Sequence, residues 1–188
     1  MQECKKEQRA LKGEQVLKEL DNYLKWMEDM LEADELLDGQ KYAEAQQAYK
    51  NAEKRACCAD QIGLDYIQNR LELTANYLSV YDLIRMGDAL ALSLRYEEAK
   101  EKYLEAKRLA RKIYFDDGRA AAIDALERLS ASQKGQEAKE YLAQAEEAAA
   151  ANDVIRASRY YLLAKDAYVS LKDDEKVSEI AQKLEALS

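Results

Sequence analysis

One segment of the chain occurs three times, as KYAEAQQAYKNAEKRA at 41–56, RYEEAKEKYLEAKRLA at 95–110 and, more loosely, DVIRASRYYLLAKDAY at 153–168. In each copy Tyr and Ala recur at spacings of three and four, which places them on one face of an α-helix. A single unit of this kind cannot bury its apolar face alone. The repetition therefore predicts copies that stack on one another until a continuous core forms.

The repeated register extends upstream of each copy into a second helical pattern. A small residue occupies the equivalent position there in all three units: Ala33, Gly87 and Ala145. A small side chain at such a position lets a neighbouring helix approach closely. Each unit is therefore predicted to be a hairpin of two helices pressed together at this residue.

Turn signals and composition complete the prediction of the fold class. Breaks are expected at 38–40, 93–95 and 152–153, where Gly, Asn and Asp supply turn or N-cap chemistry at the first and third. The chain has no Pro, few Gly and many strong helix formers, so we predict an all-α protein. The runs that begin at Asp60 and Asp117 are long for globular helices, and they are either single helices or bent, the second near Gly135.

The predicted organisation is one domain over 1–188, an array of antiparallel helix hairpins (an α-solenoid) with three divergent repeats and extended or additional helices. Its parts are an N-terminal helix or cap at 1–24, hairpins at about 25–58, 76–115 and 137–171, and a C-terminal capping helix at 174–188.

The second hairpin carries the clearest family resemblance. Gly87, Tyr96, Ala99, Tyr103 and Ala106 follow the pattern of a tetratricopeptide repeat, with a small residue in helix A and Ala, an aromatic residue and Ala in helix B. The chain thus resembles the tetratricopeptide repeat family over about 90 residues. It departs from the family by lacking the Pro after helix B and by a period about twenty residues longer.

The resemblance implies a concave binding surface lined by helix A positions around the small residue. Carried over by register, the candidate partner-binding residues are Met27, Met30, Asp34, Tyr81, Ile84, Asp88, Leu142 and Glu146. An acid directly follows the small position in all three hairpins, with apolar side chains beside it.

Two interpretations of this surface remain open. In the first it is a groove for a basic amphipathic segment of another protein, and Asp34 and Asp88 can be reversed in charge without loss of stability. In the second the apolar residues are interhelical core and the acids are ordinary solvated positions. The added length of each repeat favours the second interpretation, because it could cover the groove.

Charge and hydropathy exclude several classes of ligand. The net charge is −8, and the 29 basic residues are scattered among 37 acids, so no nucleic-acid partner is predicted. The first thirty residues contain no apolar run, and no stretch approaches a membrane span, so neither a signal peptide nor membrane insertion is expected.

The residue inventory predicts neither catalysis nor a cofactor. The chain contains no His, which removes the commonest general base, and no recognised nucleotide-binding, hydrolase or zinc-protease motif. The three cysteines are Cys4, Cys57 and Cys58. With no His and no second Cys pair they do not form a zinc site, and we interpret them as reduced thiols of a cytoplasmic, intracellular protein.

The segment 1–24 carries a further apolar pattern. Leu11, Val16, Leu17, Leu20 and Leu24 recur at helical spacing among charged residues. This face is predicted to cap the N-terminal end within the chain, and the alternative is a helix-pairing surface for a homodimer.

The function expected from these patterns is a non-catalytic adaptor or scaffold that binds a segment of another protein. Two alternatives are an acidic chaperone for a secreted client and a structural module of a larger signalling or membrane protein.

Overall fold

The computed structural model describes residues 2–56 and 61–187, with side chains described from residue 13 onward. Within these residues there are seven α-helices and no strand, so the all-α prediction is confirmed. The predictions for Cys57, Cys58 and Asp60, and for the side chains of Cys4 and Leu11, fall outside the described residues. The helices are α1 (Gln2–Asp38), α2 (Tyr42–Arg55), α3 (Gln61–Leu92), α4 (Tyr96–Lys112), α5 (Asp116–Ala150), α6 (Val154–Leu171) and α7 (Asp174–Ala186).

Long first helices account for the length of the sequence repeat. α1, α3 and α5 have 37, 32 and 35 residues, whereas α2, α4 and α6 have 14, 17 and 18. α5 continues through Gly135 without a break, so the extra residues extend helix A and do not form an additional helix. Residues 2–24 are likewise not a separate N-terminal helix, because they run on into the rest of α1.

The same turn geometry ends five of the helices. In each turn one residue has a left-handed conformation with φ between 57° and 60°: Gln40, Leu94, Tyr114, Asn152 and Lys172. At the first turn the N–H of Gln40 donates to the carbonyl of Leu37 at 3.0 Å, and that of Lys41 donates to Leu36 at 2.9 Å. This pair of bonds is the Schellman motif, and it recurs at the other four turns. Gly39, the expected break residue, precedes the left-handed position and does not occupy it.

Two helices begin with an Asp side chain at the N-cap position, and the first of these lies in the expected break at 152–153. Asp153 accepts a hydrogen bond from the N–H of Arg156 at 3.1 Å, and Asp173 accepts one from the N–H of Lys176 at 3.0 Å. Each carboxylate thereby satisfies one of the unpaired donors at a helix N-terminus. α2 begins differently, because its N-cap residue Lys41 makes no side-chain cap.

The chain divides into two compact units. The first comprises Met1–Leu83 and Ala106–Arg119, and the second comprises Ile84–Glu105 and Ala120–Ser188. The boundaries fall inside α3, α4 and α5.

The core of the first unit is built where α2 packs on α1. Ala33 of α1 and Ala45 and Tyr49 of α2 are completely buried. Beside them lies an aromatic cluster with neighbouring ring centroids 4.1–5.9 Å apart, formed by Tyr42, Tyr77, Tyr81 and Phe115. Burial raises the pKa of Tyr42 in this cluster to about 12.

In the second unit a small residue lies directly against a Tyr ring. A Cβ added at Gly87 would lie less than 3.0 Å from ring carbons of Tyr103, so only glycine allows the two helices to approach this closely. Ala99 and Ala157, at the register position of Ala45, are completely buried. α7 closes this unit by placing Ile180 in the core formed by α5 and α6.

Adding one methyl group to two helical glycines tests this packing. We expect Gly87→Ala to lower the free energy of unfolding by about 1–3 kcal/mol, because the methyl overpacks the Tyr103 ring. At Gly135 the nearest atom to a new Cβ is 3.9 Å away, so Gly135→Ala should raise stability by about 0.5–1 kcal/mol through helix propensity. Urea unfolding measures both changes, and equal effects would contradict the close contact at Gly87.

The left-handed turn residues allow a second test, in which the same change to Gly is expected to stabilise a turn position and to destabilise a helix position. Leu94 has φ 59° and its side chain is 58% exposed, so Leu94→Gly should stabilise the chain by about 0.5–1 kcal/mol. Ala89→Gly, at an exposed position inside α3, should destabilise it by about the same amount. The two midpoints of urea unfolding should move in opposite directions, and a loss of stability in Leu94→Gly would argue against the turn geometry.

Candidate functional site

Two of the three acids that the sequence placed in a groove are hydrogen-bonded to tyrosines of the same hairpins. The Tyr49 hydroxyl donates to Asp34 at 2.5 Å, and the Tyr103 hydroxyl donates to Asp88 at 2.7 Å. Each pair joins helix A to helix B across fifteen residues of sequence. Because both tyrosines are buried, these carboxylates satisfy hydroxyl groups that would otherwise be costly to remove from water.

A basic side chain from the following long helix approaches each acid. Arg70 of α3 lies 3.5 Å from Asp34, and Arg128 of α5 lies 4.0 Å from Asp88. Around Asp34 the network is larger, because the Tyr66 hydroxyl also donates to it at 2.8 Å and accepts from Arg70 at 2.9 Å.

The third hairpin repeats the acid–base contact with different residue types. Glu146 of α5 accepts a hydrogen bond from Lys183 of α7 at 2.7 Å. The hydrogen bonds to Glu146 and to Glu179 raise the pKa of Lys183. All three acids thus have a basic partner on a helix that follows their own hairpin in the chain.

The sequence reasoning missed the basic residues of this network. Arg70, Arg128 and Lys183 recur along the chain at intervals close to those that separate the three acids. This parallel spacing was the available signal. It was hidden because bases occur throughout the chain at helix positions.

The structure assigns internal contacts to much of the remaining candidate set. Ile84 is buried, and Leu142 packs against the core of the second unit. Tyr81 stacks on Tyr42 in the aromatic cluster, with ring centroids 5.9 Å apart. Met30 is half-buried, whereas Met27 is 40% exposed. A binding role for these residues stays a prediction.

One cleft of the second unit lies where the resemblance places a groove. It has a volume of about 400 Å³ and is lined in part by Asp88, Leu92, Tyr103, Arg128 and Leu129. Since Arg128 approaches the carboxylate in this cleft, the surface is not a simple acidic one. Charge reversal at Asp88 is therefore expected to cost stability, contrary to the groove interpretation, because it removes the acceptor of a buried tyrosine.

An exposed apolar stripe of α1 begins in its N-terminal half and continues to Leu31. Every described side chain from Gly13 to Lys25 is exposed. Five apolar residues alternate at spacings of three and four, and we call them the α1 seam: Leu17, Leu20, Leu24, Met27 and Leu31. Their exposed fractions lie between 40% and 66%. Val16, Leu17, Leu20 and Leu24, which the sequence predicted to cap the N-terminal end within the chain, are each more than half exposed, so these four side chains form no intramolecular cap.

The two flanks of the α1 seam differ in chemistry. On one flank lie Glu14, Asp21 and Glu28, which we call the acidic row, and all three are exposed. On the other lie Val16 and Tyr23, which are 61% and 41% exposed. α1 therefore presents an apolar stripe with one acidic edge.

The described residues contain no arrangement of three or more Cys, Asp or Glu side chains that could hold a metal ion. None of the described helices has a stretch long and apolar enough to cross a membrane. The charged groups at the predicted site are engaged in the acid–tyrosine–base contacts. What this arrangement can do chemically is fix helices to one another and present the α1 seam.

No family model, no curated protein and no solved structure matches this chain.

Removing one hydroxyl at a time tests the acid–tyrosine contacts. Tyr103→Phe removes the hydroxyl that donates to Asp88, so we expect a loss of about 1–2 kcal/mol in the free energy of unfolding. Tyr49→Phe should cost less, because Tyr66 still donates to Asp34. Urea unfolding at neutral pH measures both.

The same variants should differ from the wild type at alkaline pH. Burial and the hydrogen bond to Asp88 raise the pKa of Tyr103 above its usual value near 10. The unfolded chain then releases this proton first as pH rises, so the contribution is complete below pH 10 and declines above it. The stability difference between wild type and Tyr103→Phe should therefore shrink above pH 10, and a constant difference would contradict the raised pKa.

Proposed function

We propose that this chain is a non-catalytic protein-interaction module that binds a helical segment of another protein through the α1 seam. The observation that carries the proposal is the exposure of five seam residues in a regular apolar stripe on one helix. Contiguous apolar surface of this kind is uncommon on monomeric proteins and marks binding sites when it occurs.

A tetratricopeptide-like architecture is part of the proposal. It is supported by the close contact of Gly87 with Tyr103, which follows the small-residue and aromatic positions of that family. The buried Ala33 and Ala145 at the equivalent positions support it further. The long period is accommodated because helix A of each repeat is extended, and in α1 this extension carries the exposed stripe.

The proposed scaffold role agrees with the way charge is distributed. Asp34, Asp88 and Glu146 hold helices together through tyrosine, arginine and lysine partners. Side chains fixed in this way give the hairpins a defined geometry. A catalytic proposal has no comparable support, since the chain lacks histidine.

Site-specific photo-crosslinking tests the proposed function. A photoreactive phenylalanine analogue replaces Leu20, and a matched control replaces the exposed Glu101 on α4. In the cells that make this protein, we expect one discrete adduct at position 20 and none at position 101. The adduct partner is then identified by mass spectrometry, purified and tested for direct binding to the wild-type chain.

Binding of the purified partner should be lost in the double variant Leu20→Gln, Leu24→Gln. These side chains are half exposed, so circular dichroism should show an unchanged helix content. Absence of an adduct at position 20, or unchanged binding by the double variant, would contradict a binding function for the α1 seam.

A further inference from the structure

The α1 seam has the register of a two-stranded coiled coil. Leu17, Leu24 and Leu31 take the a positions of successive heptads, and Leu20 and Met27 take the d positions. The stripe from Leu17 to Leu31 is about 21 Å long at 1.5 Å per residue. Within residues 13–56 and 61–187 the stripe remains accessible, since each of the five is at least 40% exposed.

In this register the acidic row occupies the e positions and the apolar flank the g positions. Glu14, Asp21 and Glu28 are at e, and Val16 and Tyr23 are at g. Side chains at e and g pack against the partner helix and determine which partner and which orientation is accepted. The flanks of α1 therefore carry information about the chemistry of the occupant.

We infer that the occupant of the α1 seam is a partner helix with Lys or Arg along one edge of an apolar stripe. This inference rests on the proposed function, in which the seam is the binding site. Basic side chains on that edge would face the acidic row, and the apolar stripe would fill the seam. The other edge of the partner helix would be apolar and would cover Val16 and Tyr23.

A second copy of this chain fits the seam poorly in either orientation. In an antiparallel pair, e positions face e positions, so Glu14, Asp21 and Glu28 of the two copies would lie near one another and repel. In a parallel pair, e positions face g positions, so the acids would lie against Val16 and Tyr23 without a basic partner.

The acidic row is available for such a partner. Asp21 pairs with Lys25 at 2.7 Å, but the two side chains are 60% and 54% exposed. An exposed pair of this kind contributes little free energy and exchanges readily for another partner. Glu14 and Glu28 are exposed on the same side of the helix.

Two synthetic helices serve as the probes. Each is about three heptads long with Leu at a and d. One carries Lys along a single e or g edge, and the other carries Glu at the same places. Neither contains Trp or Tyr, so the emission of Trp26, the one tryptophan of the chain, reports binding beside Met27. Isothermal titration calorimetry gives the dissociation constant independently.

We expect the Lys peptide to bind and to shift Trp26 emission, and the Glu peptide to bind at least about tenfold more weakly. Leu20→Gln with Leu24→Gln should weaken binding of the Lys peptide about tenfold or more, as loss of central apolar anchors does. The matched control is Ile155→Gln with Leu162→Gln on α6, where both side chains are at least half exposed. It should leave the dissociation constant unchanged.

A matched pair of triple variants tests the contribution of the acidic row to binding. Neutralising the acidic row in Glu14→Gln, Asp21→Asn, Glu28→Gln should weaken binding about threefold or more at low salt, with a smaller difference at high salt. Glu97→Gln, Glu101→Gln, Glu147→Gln changes the net charge by the same amount at exposed positions elsewhere, and it should have no more than a small effect.

Three results would overturn the inference. The first is equal binding of the Lys and Glu peptides, and the second is equal effects of the two neutralised variants. The third is a dimer in sedimentation equilibrium that Leu20→Gln with Leu24→Gln dissociates, which would make a second copy the occupant. In each case the crosslinking experiment still decides the proposed function separately, since it makes no assumption about the charge of the partner.

Discussion

The contact between a small residue on a long helix and a tyrosine on the next helix determines how closely the two backbones pack. At Gly87 a single additional carbon would meet the ring of Tyr103, and Ala33 and Ala145 at the equivalent positions are completely buried. Close approach of this kind brings the tyrosine hydroxyl past the small residue to the next position of the long helix. The acid found at that position, Asp34 or Asp88, is within hydrogen-bond distance for this reason, so helix packing and polar contacts follow from one geometric constraint.

The acid–tyrosine–base contacts also explain why a recurring acid is weak evidence for a binding groove. A carboxylate beside a buried hydroxyl has a structural task, because the hydroxyl needs a partner once it leaves water. Arg70 and Arg128 then offset the charge of the carboxylate from the neighbouring helix. An acid that recurs in a helical repeat can therefore recur because it makes the same internal contact in each copy. The α1 seam differs in this respect, since its side chains are apolar and remain exposed.

Much of the local structure could be predicted from the sequence because it depends on residues close together in the chain. The period of three and four predicted α2, α4 and α6, and Asp153 lies at a helix start within the expected break at 152–153. The left-handed residues were not predicted, because Leu94 and Tyr114 have no intrinsic preference for that conformation and the helix packing imposes it. The bases of the polar contacts were missed since they come from a third helix. The exposed face of α1 could not be separated from a capping face, because exposure depends on what the rest of the chain reaches.

The long first helix has a thermodynamic consequence for any ligand. Between Gly13 and Lys25 the helix is supported by its own backbone hydrogen bonds and not by packing, since every side chain there is exposed. An unsupported helical segment is in equilibrium with coil, and a ligand that requires the helix must supply the ordering free energy. Helix propensity on the face of α1 opposite the seam then becomes a control on affinity: a residue such as Asn22, exposed at an f position, can tune recognition without touching the ligand.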